Sequence, residues 1–427
     1  MGVCATMALS ICAVSGNGGV AVVGPLPNHL NVVYGPAATT PQGYAPSYIL
    51  DHYQFNDMPT DENGNAVTGT GQTIAIVNWA NNPFLKHDLL FFDKQFGLAD
   101  MDGLAGGTCT LATYGGTPCF QILNVGGTVP NPGDKADYQE SAMDIEWAHA
   151  AAPGANIIAV QAQAPTLYNG SYYPTNAGLD AAIQAGVTAG ATVVSMSWGA
   201  GSMTDADAAT WDGLNVGFVS GEGDNGFPDT TYPPRDPNVL SVGGTNLTPT
   251  AEPDWIYSGG GVTTLSRPGY QLNWVNSSDR EVNDVAYNAA GDFADGSPAF
   301  YSVAIQYNTT HGIQWIQEGG VSAGIPQWAG IVADTDQVRV SRGISILARS
   351  GLMSGLYLAA GDNEQRTDVV NPAYFNDIST GCAYKYAAPP ARPVPPCASS
   401  AVDGYDPTTG LGTPRVGDLV DYLGYDI

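Results

Sequence analysis

Apolar residues along the chain form short runs, and segments with a helical spacing of hydrophobic and polar positions separate them. The apolar runs have the length of strands, are rich in β-branched residues and lie at 73–80, 155–162, 192–199, 216–224 and 238–245. The helical patterns lie at 83–97, 138–151 and 175–188. Because nearly continuous apolar strands alternate with helices, the sequence predicts an α/β fold, a doubly wound and mostly parallel sheet with helices on both faces.

The domain organisation follows from where this alternation begins and stops. Residues 1–45 are rich in Gly and Pro and show no period, which predicts an extended N-terminal arm. No long linker interrupts residues 46–427, so we expect one large domain there. Within it, residues 246–312 are interpreted as loop-rich and residues 382–400 as a proline-rich surface excursion.

The net charge of the chain limits its possible partners and surroundings. The 427 residues include 13 Lys and Arg against 40 Asp and Glu, a formal net charge of −27. Such a surface repels nucleic acid and anionic membranes. No apolar run approaches the roughly 20 residues of a membrane span. Near pH 4 many carboxylates are protonated and the self-repulsion falls, which favours a protein that works in an acidic environment, although ordinary solubility is an alternative reason for the charge.

The six cysteines fall into three close pairs, Cys4 and Cys12, Cys109 and Cys119, and Cys382 and Cys397. An even number at local spacing indicates disulfide bonds in an oxidising, extracytoplasmic setting. Metal binding by these cysteines is disfavoured because no CxxC motif or histidine cluster accompanies them.

One serine stands between paired glycines and the start of a buried helix, in "EGGVSAGIPQWAG" at residues 318–330. Ser322 is therefore a candidate nucleophile, which needs a base. None of the five histidines lies in the motif of a subtilisin-type site, and the first strand ends in Asn78 where that site needs an aspartate. A histidine-based triad is disfavoured.

Carboxyl groups offer an alternative base. Glu140 and Asp144 are four residues apart, so on a helix they share one face. There the two carboxyls would share a proton, with one pKa raised and the other lowered. Acidic pairs at this spacing also occur on solvated helix faces, so the spacing alone leaves both interpretations open.

A third carboxyl, Asp224, ends the apolar run at 216–224 and enters a Gly-rich turn. Active sites of α/β proteins form at this edge of the sheet. A protonated Asp224 could donate a hydrogen bond to an oxyanion. An aspartate that caps the turn is the structural alternative, and Glu222 is a competing acid nearby.

Taken in order, these segments resemble the sedolisins, the serine-carboxyl peptidases, including the kumamolisin-like members. The matching segments cover the chain from about residue 30 to its C-terminus and are "GTGQTIAIV" (69–77), "ESAMDIEWAHAAAPGANI" (140–157), "SMSWG" (195–199), "GDNG" (223–226), "YPPRDPNVLSVGGTNL" (232–247), "SGGGVT" (258–263), "REVNDVAYNA" (280–289), the serine segment, "FNDISTG" (375–381) and "GYDPTTGLGTP" (404–414). The resemblance implies a subtilisin-like fold and an acid-acting endopeptidase that works through an acyl-enzyme. It implies that Ser322 is the nucleophile, Glu140 its general base, Asp144 the residue that holds Glu140, and Asp224 the oxyanion donor.

The resemblance also implies a substrate cleft, a metal site and a pro-segment. The cleft residues would be Trp198, Ser258, Gly259 and Gly260. One structural Ca²⁺, within a region at 375–414, would take side-chain oxygens of Asp377 and Asp406 and backbone carbonyls of Ile378, Val402 and Gly404. The partner would be a protein or peptide substrate of a monomeric enzyme. The family typically has a long inhibitory propeptide, so either residues 1–45 are a remnant of it or this member differs from the family.

The chain departs from the family pattern at four positions. Val321 stands where threonine is usual, Val402 replaces a glycine, and Asn283 replaces a common proline. Asn78 lies where kumamolisin-like members often have an acid that extends the catalytic network.

Two other functions remain open from the residues alone. A secreted acid glycosidase would use paired carboxyls and aromatic stacking but leave Ser322 idle. A noncatalytic, calcium-stabilised binding protein would keep the fold without a reactive serine.

Overall fold

The structure is a computed structural model that describes residues 28–29, 32–79, 81–127, 135–168, 171–308, 312–361, 370–384 and 397–425. Its α-helices are α1 (Pro46–His52), α2 (Leu85–Phe96), α3 (Lys135–Ala151), α4 (Asn176–Thr188), α5 (Asp205–Ala208), α6 (Val321–Ser341), α7 (Arg349–Ala360) and α8 (Val416–Leu423). Its strands are β1 (Asn28–His29), β2 (Val32–Ala38), β3 (Thr73–Trp79), β4 (Phe120–Val125), β5 (Asn156–Ala162), β6 (Thr166–Tyr168), β7 (Ser171–Tyr173), β8 (Val193–Met196), β9 (Trp198–Gly199), β10 (Gly217–Gly221), β11 (Leu240–Leu247), β12 (Gly261–Ser266), β13 (Asp279–Val282), β14 (Val285–Asp292), β15 (Pro298–Ala299), β16 (Tyr301–Ile305), β17 (Gln314–Gly319), β18 (Phe375–Asn376), β19 (Cys382–Tyr384), β20 (Cys397–Ser400) and β21 (Thr413–Pro414).

An eight-stranded sheet organises the described residues, in the order β15-β14-β11-β10-β8-β3-β5-β4. All neighbours in it pair in parallel except the edge strand β15, which is antiparallel to β14. The apolar runs of the sequence supply its central strands, because a strand buried on both faces needs apolar side chains in both directions. The predicted doubly wound, mostly parallel α/β fold is confirmed.

The sheet has an apolar core on each face. Alternate residues of β3 point in opposite directions, so that Ile74 and Ile76 join one core and Ala75 and Val77 the other. The first core includes α3 and α6, and the second includes α4. Helix α6 is buried along nearly its whole length, from Val321 to Arg339.

The interpretation of residues 246–312 as loop-rich was wrong. This stretch holds β14, a strand of the main sheet, together with β12, β13, β15 and β16. Buried polar residues hid the strand: Asn288 is fully buried in β14, and its side-chain oxygen accepts a hydrogen bond from Leu247 N. A polar residue with a partner inside the protein breaks the apolar pattern without breaking the strand.

The arm predicted at residues 1–45 is described only from Asn28 onwards. There β2 pairs with β17, and β1 pairs with β9. Its assignment as a separate arm stays a prediction. No helix among the described ranges is long and apolar enough to cross a membrane.

One cysteine pair is bonded in the structure and one is not. Cys109 and Cys119 form a disulfide. Cys382 and Cys397 are free thiols on the paired strands β19 and β20. Cys4 and Cys12 lie outside the described residues.

Candidate active site

The candidate nucleophile, Ser322, lies in the first turn of α6, the longest helix among the described residues. Gly320 precedes α6 with φ 106°, a conformation that favours glycine, and Ser322 is the second residue of the helix. Strand β17, which contains Glu318, leads directly into this turn. The Ser322 side chain is fully buried, and the described residues offer its Oγ no hydrogen-bond partner. A buried hydroxyl without a partner is uncommon and marks a candidate functional group.

Glu140 faces this serine from α3. The Ser322 hydroxyl lies close enough to lower the pKa of the Glu140 carboxyl, although the two groups do not meet hydrogen-bonding geometry. Both Glu140 oxygens are buried, and no group in the described part of the chain donates to them. Burial is the main reason that the pKa of Glu140 is raised well above its usual value, and the charges of Asp144 and Glu318 add to the effect.

Asp144 lies one helical turn after Glu140 and is held on both sides. Asn78 Nδ2 donates to its Oδ2 over 2.8 Å, and Ser197 Oγ donates to its Oδ1 over 2.8 Å. Burial raises the pKa of Asp144 to about 7, and these two hydrogen bonds act in the opposite direction. The expectation that one pKa of the pair would be lowered was wrong, because burial raises the pKa of both carboxyls. The structure therefore places Asn78, at the end of β3, in the carboxyl network.

Asp224 reaches the same helix start from the loop after β10. Its Oδ1 accepts a hydrogen bond from Val321 N over 3.0 Å, next to Ser322. Its Oδ2 is buried and has no partner among the residues described. Burial raises the pKa of Asp224 well above its usual value, so the carboxyl keeps its proton in mild acid. The competing Glu222 turns elsewhere, since its Oε2 accepts from Thr231 N over 2.7 Å.

The structure thus brings together Glu140, Asp144, Asp224 and Ser322 from three separate segments of the chain. Sequence reasoning missed two of their neighbours. Ser197 was part of a matching motif but received no role. Glu318 is fully buried, and its charge raises the pKa of Glu140. It was missed because the two glycines that follow it indicate a turn and not a buried position.

The four candidate cleft residues are all buried, and each makes hydrogen bonds within the protein. The Trp198 side chain is completely buried, and its indole N–H donates to Val77 O over 2.8 Å, so in this structure the ring does not line an open cleft. Ser258 is buried, and its Oγ donates to Thr408 O over 3.1 Å. Gly259 N donates to Gly223 O over 2.9 Å, and Gly260 exchanges backbone hydrogen bonds with Asp229. A substrate role for these residues stays a prediction.

The candidate calcium ligands lie on neighbouring turns. Asp377 Oδ2 accepts from Gly404 N over 2.8 Å, and Asp377 Oδ1 is buried without a partner in the ranges described. Burial and the charges of Asp403 and Asp406 raise the pKa of Asp377. Both Asp406 oxygens already accept hydrogen bonds from Thr408 and Thr409.

These ligands fit a hard cation in part. No group of three or more His, Cys, Asp or Glu side chains in the described ranges is arranged to hold a metal, so backbone oxygens would have to contribute. Those would come from Ile378, Val402 and Gly404, and the orphan oxygen of Asp377 is the observation that favours a cation.

Sequence comparison finds relatives over part of the chain. No family model matches it. A stretch of 190 residues, 43% of this chain, is 33% identical to the tripeptidyl-peptidase SED4 of Arthroderma otae, of which it covers 30%. A stretch of 197 residues, 45% of this chain, is 30% identical to the tripeptidyl-peptidase SED2 of the same organism and covers 31% of it. The matches thus span about a third of the length of these relatives.

Structure comparison extends the likeness to nearly the whole chain. The Pseudomonas sedolisin, a serine-carboxyl proteinase solved with two molecules of pseudo-iodotyrostatin, superposes with a TM-score of 0.61 at 21% identity. The superposition covers 90% of this chain and 98% of that one, which shows a shared fold. Sequence similarity to the tripeptidyl-peptidases and the fold shared with the sedolisin agree with the motifs, and the chain is similar to the sedolisin-family serine-carboxyl peptidases.

Proposed function

We propose that this protein is an acid-acting serine-carboxyl endopeptidase that hydrolyses peptide bonds through an acyl-enzyme. The observation that carries the proposal is that Ser322 lies close enough to Glu140 to lower its pKa, while Asp224 binds Val321 N beside Ser322. Ser322 Oγ, the Glu140 oxygens and Asp224 Oδ2 are all buried, and none has a partner in hydrogen-bonding geometry among the described residues. Polar groups left unsatisfied together in a folded protein are suited to a substrate or transition state that satisfies them.

The proton steps follow from the carboxyl environments. Glu140, when ionised, takes the proton of Ser322 as the oxygen attacks the peptide carbonyl, and later gives it to the leaving amine. Asp144 holds Glu140 by sharing one negative charge with it, while Asn78 and Ser197 stabilise the charged form of Asp144. Water then hydrolyses the acyl-enzyme by the same path in reverse.

Asp224 would stabilise the tetrahedral intermediate. Because Val321 N already occupies Oδ1, the proton of the neutral acid belongs on Oδ2, which is the oxygen left to donate to an oxyanion. Its raised pKa keeps this donor available in acid and removes it as the pH rises.

The test is cleavage of an unfolded protein between pH 2 and pH 8 by wild type and Ser322→Ala. Ser195→Ala is the matched control, because Ser195 is another buried serine whose Oγ lacks a partner in the described residues. We expect acid activity in wild type and in Ser195→Ala, and none in a folded Ser322→Ala protein. Full activity in Ser322→Ala would refute the serine mechanism.

A second candidate is release of tripeptides from N-termini, and the names of the relatives favour it. The two activities differ in whether a free amino terminus is required. Cleavage of a long peptide with an acetylated N-terminus would identify an endopeptidase. Cleavage of the free form alone, with tripeptide products, would identify the tripeptidyl-peptidase.

We further propose that an extended peptide substrate adds to the edge formed by β9. In the structure β1 already pairs there antiparallel, with Asn28 opposite Gly199 and His29 opposite Trp198, and Ser197 immediately before β9 contacts Asp144. A segment in this position would inhibit as a propeptide does. Removal of residues 1–31 should therefore raise the initial rate of peptide cleavage, and an unchanged rate would argue against occlusion.

We propose one structural Ca²⁺ held by Asp377, Asp406 and the carbonyls of Ile378, Val402 and Gly404. When bound, it would supply fixed positive charge between two acidic turns. A chelator should lower the melting temperature of wild type, and Asp377→Asn should abolish that difference. A melting temperature insensitive to both calcium and chelator would refute the site. Secretion into an acidic medium, as a monomer, completes the proposal.

A further inference from the structure

Asn283 is a buried residue whose side-chain amide forms hydrogen bonds with three separate segments of the chain. Its Nδ2 donates to Gly259 O and to Thr408 O, each over 3.0 Å. Its Oδ1 accepts from Ser241 Oγ over 2.9 Å. The amide therefore joins the segment Ser258–Gly260 to the turn Asp406–Gly410.

The Ser258–Gly260 segment is held from both sides. On one side, Thr408 O accepts from Ser258 Oγ as well as from Asn283. On the other side, Gly259 N donates to Gly223 O over 2.9 Å. Gly223 precedes Asp224, whose carboxyl binds Val321 N beside the candidate nucleophile. The contacts thus run without a break from the Asp406–Gly410 turn to the start of α6.

The two glycines of this segment have no room for a side chain. A Cβ on Gly259 would lie 2.5 Å from Glu222 O, and a Cβ on Gly260 would lie 2.0 Å from Pro407 O. A shift of the segment must therefore move the Asp224 loop or the turn.

We propose that Asn283 is a positioning residue: its side-chain amide fixes Ser258–Gly260 between the Asp406–Gly410 turn and the Gly223–Asp224 loop, and so sets where Asp224 meets the reacting carbonyl. The catalytic part of this inference rests on the proposed peptidase function. The positional part does not.

The experiment compares Asn283→Ala with Tyr405→Phe by hydrogen exchange and by kinetics. Tyr405 is the matched control, because its hydroxyl donates to Asn283 O over 2.9 Å and its loss leaves the amide in place. In Asn283→Ala we expect faster exchange at residues 222–230 and 256–262. We expect kcat for peptide cleavage to fall about 10- to 100-fold with little change in KM, since small displacements of a catalytic group have effects of that size. Tyr405→Phe should show neither change.

Each outcome decides the inference. Unchanged exchange at residues 222–230 overturns it whether or not the protein cleaves peptides. Faster exchange with an unchanged kcat overturns the catalytic part. If wild type proves inactive, the proposed function fails while exchange still tests the positional part. Should Asn283→Ala not fold, Ser258→Ala removes the second bond to Thr408 O, and the same two readouts apply to it.

Discussion

Folding of this protein should depend on keeping buried carboxyls neutral, and Asp93 allows the clearest test. Its carboxyl lies between α2 and α3, fully buried, with Oδ1 3.5 Å from His149 Nε2. Asp100 lies nearby, and the charge of Asp93 in turn raises the pKa of Glu146. Burial raises the pKa of Asp93 to about 8, and burial lowers that of His149 to about 4. Between these values both groups are neutral, so the contact is not an ion pair.

The sign of the effect follows from linkage. Because the folded-state pKa exceeds the unfolded value of 3.8, the folded protein holds this proton longer. The stabilisation is complete below pH 3.8 and is lost as the pH rises to about 8. Between pH 5 and pH 8 the loss from this group is at most about 4 kcal/mol, at about 1.4 kcal/mol per pH unit.

Replacement Asp93→Asn removes this titration and keeps the shape of the side chain. The assay is denaturant unfolding at pH 5 and pH 8, a range chosen to avoid the titration of His149. We expect the free energy of unfolding of Asp93→Asn, relative to wild type, to rise by a few kcal/mol between the two pH values. Asp57→Asn, the same replacement at an exposed aspartate, is the control variant. An identical difference at pH 5 and pH 8 would refute the reasoning.

Three further predictions concern the site and its surroundings. Asp224→Asn keeps a hydrogen-bond donor that cannot ionise, so it should extend peptide cleavage to higher pH. Asp224→Ala removes the donor and should lower kcat about 10²- to 10³-fold. Equal pH profiles for wild type and Asp224→Asn would contradict this prediction. Ser197→Ala removes a hydrogen bond that lowers the pKa of Asp144, so the acid limb of the pH–rate profile should move to higher pH. A shift of that limb to lower pH would contradict this prediction. Cys382 and Cys397 should form a disulfide on exchange with oxidised glutathione, which releases two reduced glutathiones. Intact-mass analysis after alkylation checks this, and uptake of the alkylating reagent by both cysteines would contradict it.

The sequence predicted the sheet well because a strand covered on both faces must be apolar in both directions, as in β3 and β5. It predicted less where buried polar residues take partners from distant segments. Strand β14 was missed because the partner of Asn288 is on β11, 41 residues away. Local patterns contain no information on such pairing.

The candidate site shows the same limit. The spacing of Glu140 and Asp144 on one helix could be derived, and so could the position of Ser322 at a helix start. Their mutual contact could not, since it depends on how α3 packs against α6. Nothing in the local pattern at Glu318 or Asn283 indicates burial beside these elements.

Helix α6 starts at the candidate nucleophile and then passes through the interior of the protein, in contact with α3, β10 and β14. Such an element cannot open by local fraying, because exposing its first turn would also expose the apolar side chains of the elements packed against it. Loss of the reactive serine geometry should therefore coincide with loss of the native state as a whole. Chemical reactivity at Ser322 would then serve as a gauge of how many molecules remain folded.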